Sequence, residues 1–305
     1  MSWFAQGSSA GESGEAPVAP AVTPGRELQG RIALITGSTG GIGRATAVAL
    51  ARRGCAIAVH YHTARDKADA LVLLLTGDRA SSGSADQPSQ VPVPVPARAF
   101  QADLGDYDAV RRLHAEVTSW AKNLSTHGNE GVQERGIDVL FNNGAVTGPR
   151  IGGAGSGNIE DLSIEAFEST WRANVGASFL LTQLCIPHMV QQHFGRIIFC
   201  SSVAAATGGV VGPHYASSKS ALHGLLHWLA PRYARDGLTV NAVAPALIIE
   251  TEMNKDPSPE WRNLIPVGRF GMPAEVAACV ELLATNGYMT NKILVVDGGA
   301  TSSAF

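Results

Sequence analysis

From Arg31 onward, short uninterrupted apolar runs alternate with longer stretches whose apolar positions recur every third or fourth residue. Runs without in/out alternation read as strands covered on both faces, and the helical stretches between them read as crossovers, so the pattern predicts βαβ units feeding a parallel sheet. Strands are predicted at 32–36, 56–61, 98–102, 139–142, 196–201, 239–243 and 293–296, with helices at 42–53, 64–75, 107–122, 164–192, 215–235 and 273–284. The expected fold is α/β, a Rossmann-type doubly wound parallel sheet of seven strands in three α/β/α layers. Pro273 opens its helix where a missing N–H is harmless, whereas Pro231 falls inside a helical pattern and is expected to kink it.

Three polar stretches interrupt the pattern, at 77–96 with its Val-Pro-Val-Pro-Val-Pro run, at 123–136 and at 148–158. They read as surface insertions. A Pro-rich strip can fill an aromatic groove, but between a helix and a strand it reads better as a spacer. The first 25 residues are rich in Ala, Gly, Ser, Pro and Glu and lack a basic segment followed by an apolar core, so they predict a disordered tail and no secretory signal. Residues 1–29 are assigned to this tail and 30–305 to one domain.

Composition narrows the function classes. With 305 residues, 45% of them hydrophobic, the chain can bury one substantial core. A net charge of -3 supplies no general basic field for nucleic acid or an anionic membrane, so neither is expected as a partner. No apolar run reaches the roughly 18 residues of a membrane span. Cys55, Cys185, Cys200 and Cys279 are scattered in apolar segments, away from metal-ligand or redox-pair spacing. They read as reduced packing thiols of a cytoplasmic protein without a metal site, and Glu12 and Glu15 in a tail lacking early Lys or Arg argue against a mitochondrial presequence.

The segment Thr36-Gly37-Ser38-Thr39-Gly40-Gly41-Ile42-Gly43 follows the first predicted strand and opens a helix. Glycines there let the backbone approach a pyrophosphate at the helix N-terminus, although tight strand-to-helix packing alone also calls for them. Gly37, Gly41 and Gly43 are spaced G-x-x-x-G-x-G. The second strand ends His60-Tyr61-His62-Thr63-Ala64-Arg65, without an acid before Asp66 that would bind a ribose 2′-hydroxyl. A 2′-phosphate is then tolerated beside Tyr61 and His62, which favours NADP(H) over NAD(H).

Ser202 follows the apolar run Ile197-Ile198-Phe199, at the strand end where open α/β sheets hold ligands. Tyr215-Ala-Ser-Ser-Lys219 lies downstream, placing Lys219 one helical turn beyond Tyr215 on the same face. An isolated pair of this kind is most often an amphipathic face. After a glycine-turn domain it reads as chemistry: Tyr215 gives a proton to a developing alkoxide, Lys219 lowers the phenol pKa, and Ser202 holds the carbonyl oxygen.

Together these motifs resemble the short-chain dehydrogenase/reductase family over 30–299, and within it the 3-oxoacyl-(acyl-carrier-protein) reductases. That branch is suggested by Pro266-Val-Gly-Arg-Phe-Gly-Met-Pro, Asp297-Gly-Gly and Gly237-Leu-Thr-Val-Asn241. The resemblance implies a catalytic group of Asn174, Ser202, Tyr215 and Lys219, with Asn174 kinking its helix and holding a water of the proton relay. It implies cofactor contacts from Gly37, Thr39, Gly41, Ile42 and Gly43, from Tyr61, His62, Asp103 and Leu104, from Asn143, Tyr215 and Lys219, and from Pro245, Ile248 and Thr251. It also implies a homotetramer using helices 107–122 and 164–192, a 3-oxoacyl thioester substrate, and an acyl carrier protein as candidate partner.

The chain departs from the pattern in places. Asn-Asn-Ala-Gly becomes Asn142-Asn143-Gly144-Ala145, an extra residue precedes Thr251, and Gly40 stands where the branch commonly has Arg. Carrier-dependent members often have basic residues where His193 and Asp236 stand, with Arg232 and Arg235 nearby as a displaced alternative. Competing expectations are a reductase of a pteridine or secondary-metabolite ketone, and a catalytically silent nucleotide-binding regulator.

Overall fold

The computed structural model describes residues 28–77, 94–124, 135–151, 157–251 and 258–302. Seven strands form one parallel sheet: β1 (Ile32–Ile35), β2 (Ala56–Tyr61), β3 (Ala97–Gln101), β4 (Val139–Asn142), β5 (Gly195–Cys200), β6 (Leu238–Pro245) and β7 (Ile293–Val296), in the order β3-β2-β1-β4-β5-β6-β7. Strand order reverses between β1 and β4, so the sheet opens a crevice at the carboxyl ends of those strands. The helices are α1 (Gly41–Arg52), α2 (Arg65–Thr76), α3 (Tyr107–Lys122), α4 (Ile164–Trp171), α5 (Ala177–Gln191), the short α6 (Ala204–Thr207), α7 (Pro213–Tyr233) and α8 (Pro273–Thr285).

Because side chains alternate along a strand, each apolar run serves both faces. Ile35, Phe141, Ile198 and Val243 pack with Leu50 of α1, Leu71 of α2 and Val280 of α8. Leu34, Leu140, Ile197 and Phe199 pack on the other side with Leu113 of α3, Leu181 of α5 and Leu226 of α7. These are the two helical layers that the uninterrupted runs predict. Leu28, two residues before the expected boundary at residue 30, is 1% exposed within the first cluster. The assigned tail up to residue 27 lies outside the described residues, as do the centres of the three insertions. At the edge of the Pro-rich insertion, Val95 is buried and its N–H donates to the Leu75 carbonyl.

Two helix expectations are corrected. The helix predicted over 164–192 is α4 and α5 joined by a π-turn, Arg172–Gly176, which inserts one residue into the helical repeat. Helix α7 runs through Pro231 to Tyr233 and tightens into a 3-10 turn, Ala234–Asp236. Pro231 lies in its last turn, where only a terminal hydrogen bond is forfeited. No helix among the described residues is long and apolar enough to cross a membrane.

Candidate active site

At the end of β1 the chain reverses at Gly37, whose φ of 64° suits glycine. A Cβ on Gly43 would strike the Gly37 carbonyl and come within 2.9 Å of Asn143 Nδ2, while one on Gly41 would strike the Glu250 carbonyl. Gly40, Gly41 and Ile42 begin α1, which has no side-chain cap and no acid in its first turn. This leaves a helix N-terminus suited to an anion. Thr39 and Gly41 stand at the mouth of a groove between α1, α2 and α8.

His60 fixes this turn from β2. Its Nδ1 accepts the Gly37 N–H at 2.9 Å and its Nε2 donates to the Ala102 carbonyl at 3.1 Å, so both ring nitrogens are used. The ring is therefore neutral, and burial holds its pKa down at about 4. Of the two imidazoles at this strand end, only His62 faces outward. Its Nε2 is 3.9 Å from Asp103 Oδ2 and its side chain is 57% exposed. Tyr61 is half-buried against the first core. The His60 role was hidden in the sequence; the available signal was a polar residue at an interior position of an apolar strand.

Asn143 faces back into the turn. Its side-chain amide donates to the carbonyls of Thr36 and Gly37, and its own N–H donates to Thr36 Oγ1. Gly144 follows with its N–H also on Thr36 Oγ1, and a Cβ there would lie 2.7 Å from Leu104 Cδ1. An alanine at 144 would require the Leu104 side chain to shift. Asp103 Oδ1 accepts the Gly105 N–H, so Asp103 and Leu104 flank the crevice from β3. On the β6 side, Ile248 is buried and bridges Gly271, and Thr251 Oγ1 donates to the Ile248 carbonyl. Pro245 ends β6, and its carbonyl accepts the Val203 N–H.

Of the four predicted catalytic residues, Ser202, Tyr215 and Lys219 lie around the end of β5, and Asn174 reaches the same helix through Ser218. Tyr215 and Lys219 lie on one face of α7, 5% and 3% exposed, with Lys219 Nζ 5.6 Å from the phenol centroid. The Ser202 side chain acts on the Tyr215 phenol from the end of β5, favouring its ionised form, and Ser202 Oγ accepts the Ala204 N–H at 3.2 Å, which leaves its own proton to donate. Burial raises the Tyr215 pKa and the Cys200 thiol adds to this, against a lowering by the Ser202 hydrogen bond. Burial lowers that of Lys219. Lys219 Nζ donates to the Cys200 carbonyl at 2.7 Å.

Asn174 sits inside the π-turn, 1% exposed. Its Oδ1 accepts the Val146 N–H at 2.8 Å, and its Nδ2 donates to the Val146 carbonyl and to Ser218 Oγ. Ser218 in turn donates to the Tyr215 carbonyl. The side chain thus clamps the loop after β4 to the catalytic helix. Ser218, overlooked within Tyr-Ala-Ser-Ser-Lys, is the link.

A family model described as short chain dehydrogenase matches residues 31–261. The chain is 30% identical over 279 residues to the 3-oxoacyl-(acyl-carrier-protein) reductase FabG of Aquifex aeolicus, covering 90% of this chain and 98% of that protein. It is 32% identical over 276 residues to the 3-oxoacyl-(acyl-carrier-protein) reductase of a Synechocystis strain, covering 89% and 97%. A solved short chain dehydrogenase from Burkholderia cenocepacia, in complex with NADP, superposes with a TM-score of 0.71 at 28% identity, over 90% of this chain and 99% of that one. With the glycine turn, the crevice and the tyrosine–lysine face in one sheet end, these matches establish that the chain belongs to the short-chain dehydrogenase family, as an oxidoreductase acting on alcohol and carbonyl groups.

Proposed function

We propose that this protein reduces a ketone to a secondary alcohol with NADPH, and that its substrate class is the 3-oxoacyl thioester. The observation that carries the reaction is the buried Tyr215 with Lys219 one turn away on the same face of α7, its Nζ 5.6 Å from the phenol centroid. The substrate class rests on the two reductases named above. The cofactor fits the residues present: an uncapped α1 N-terminus and close-packed glycines suit a pyrophosphate, and an exposed His62 after a second strand that carries no acid before Asp66 suits a 2′-phosphate. When bound, NADPH supplies the hydride for the carbonyl carbon.

Ser202 holds the carbonyl oxygen, and Tyr215, kept protonated by burial, gives its proton to that oxygen as negative charge develops. Lys219 stabilises the resulting phenolate by charge. Asn174 keeps the Val146 loop and α7 in register around the reacting carbonyl.

A carrier-independent thioester is favoured by the far end of the sheet. His193 and Gly237 meet there, a Cβ on Gly237 striking the His193 carbonyl, and Asp236 adjoins them. An acid beside a histidine is a poor dock for an acidic carrier. Assembly as a homotetramer through α3 and α5 is part of this reading and follows from the family resemblance.

The test is NADPH oxidation with acetoacetyl-CoA, with NADH for comparison. Turnover preferring NADPH is expected, and Tyr215→Phe should reduce its rate by about 10²–10⁴-fold while cofactor still binds. NADPH binding without turnover would overturn the thioester reading and favour a pteridine or other ketone. Cofactor binding with no rate on any ketone would favour the silent regulator.

A further inference from the structure

Three consecutive residues at the end of β5 are tied to three residues spaced one turn apart on α7. The Cys200 carbonyl accepts from Lys219 Nζ, Ser201 Oγ lies 2.7 Å from His223 Nε2 and 3.3 Å from the Lys219 carbonyl, and the Ser202 side chain acts on the Tyr215 phenol. Tyr215, Lys219 and His223 are four residues apart, so they form one stripe along the helix. The reaction accounts for Tyr215 and Lys219. It leaves Ser201 and His223 without a role.

The donor assignment is constrained. Ser201 is 3% exposed and its hydroxyl has one proton. The Lys219 carbonyl can only accept, so the arrangement that satisfies both contacts has His223 Nε2–H donating to Ser201 Oγ while the Ser201 hydroxyl donates to the Lys219 carbonyl. Lys219 is then held at both ends, by Ser201 at its backbone and by Cys200 at its ammonium. An apolar side chain at 223 would fill the same space but leave the Ser201 hydroxyl free to rotate off the lysine carbonyl.

We propose that His223, acting through Ser201, is a positioning residue for Lys219, fixing the axial register of the catalytic helix against β5. The proposal rests on the ketone-reduction reading. His227 and Lys219 on α7 and Cys200 on β5 are the titratable groups coupled to this stripe.

Two measurements on the full chain test it. In imidazole ¹⁵N spectra, with the His223 signals assigned by their loss in His223→Gln, Ser201→Ala should move the His223 Nε2 resonance. An unmoved resonance overturns the tie itself, whatever ketone is reduced, and so is distinguishable from failure of the substrate reading. In steady-state reduction of acetoacetyl-CoA, or of whichever ketone is turned over, His223→Ala should lower kcat about tenfold or more, with less effect on KM. It should also shift the alkaline limb of the pH–rate profile upward by about half a unit or more, as Lys219 ceases to hold the phenol pKa down. His223→Gln retains an N–H donor and should restore most of the rate. The Ser201→Ala/His223→Ala double variant should match the worse single variant within about twofold, since both break one chain. An unshifted profile in His223→Ala, no rescue by Gln, or additive losses would overturn the proposal.

Discussion

The hydrogen bond from Gly37 to His60 Nδ1 makes an imidazole part of the glycine turn, and a proton on that nitrogen would break it. The folded-state pKa is depressed to about 4 from an ordinary 6.5, so the contribution is fully present above pH 6.5 and is lost as pH falls toward 4. Over that interval the unfolded chain binds a proton that the fold refuses, costing up to about 3 kcal/mol. Urea unfolding between neutral pH and the onset of acid denaturation should show stability falling through this window. His114 and His223, also lowered by burial, contribute slope of the same sign. The His60 share is the part that His60→Gln removes; an identical slope in wild type and variant would assign the effect elsewhere.

Among the elements, α1 shows how a turn sequence becomes a binding surface. Gly43→Ala should force the Gly37 carbonyl and the Asn143 amide apart, because the first is backbone and the second is tied by hydrogen bonds to the Thr36 and Gly37 carbonyls. A loss of NADPH affinity of about tenfold, equivalent to about 1.4 kcal/mol, is expected by fluorescence titration. Gly224→Ala is the control: a Cβ at this exposed position of α7 meets nothing within 4 Å, so NADPH affinity should hold while helix propensity stabilises the fold by about 0.5–1 kcal/mol. Equal affinity in both variants would remove the close-packing account of the turn. Strand positions were legible because runs such as Ile197-Ile198-Phe199 feed both cores. The π-turn at Arg172–Gly176 was not legible in the pattern, where only the family resemblance implied a kink at Asn174, because a single inserted residue leaves apolar periodicity on either side intact and is held by Asn174 contacts with Val146 and Ser218.

Across the whole molecule, binding and anchoring occupy opposite ends of the sheet. At the amino end, Asp138 is 5% exposed and accepts from the Ile32 N–H at 2.7 Å, from Arg31 Nη1 at 3.2 Å and from Gln192 Nε2 at 2.5 Å, while Arg31 stacks 3.8 Å from the centroid of Phe194. Asp138→Ala should cost about 2–3 kcal/mol in denaturant unfolding, discounted for the partial exposure of Arg31, with NADPH affinity unchanged. A matching loss of affinity would mean the two ends are coupled. The sequence by itself determined the doubly wound sheet, its crevice and the residues Ser202, Tyr215 and Lys219, because strand periodicity, glycine placement and helical spacing are local properties of the chain. Only the tertiary structure decided that His60 ties down the turn while His62 faces outward beside Asp103, that Asn143 and Asn174 clamp loops, and that His223 meets Ser201 on the face of α7 that carries Tyr215 and Lys219. Those roles depend on which partner lies within hydrogen-bonding distance across the sheet, and residues far apart in the chain acquire partners only when the layers pack.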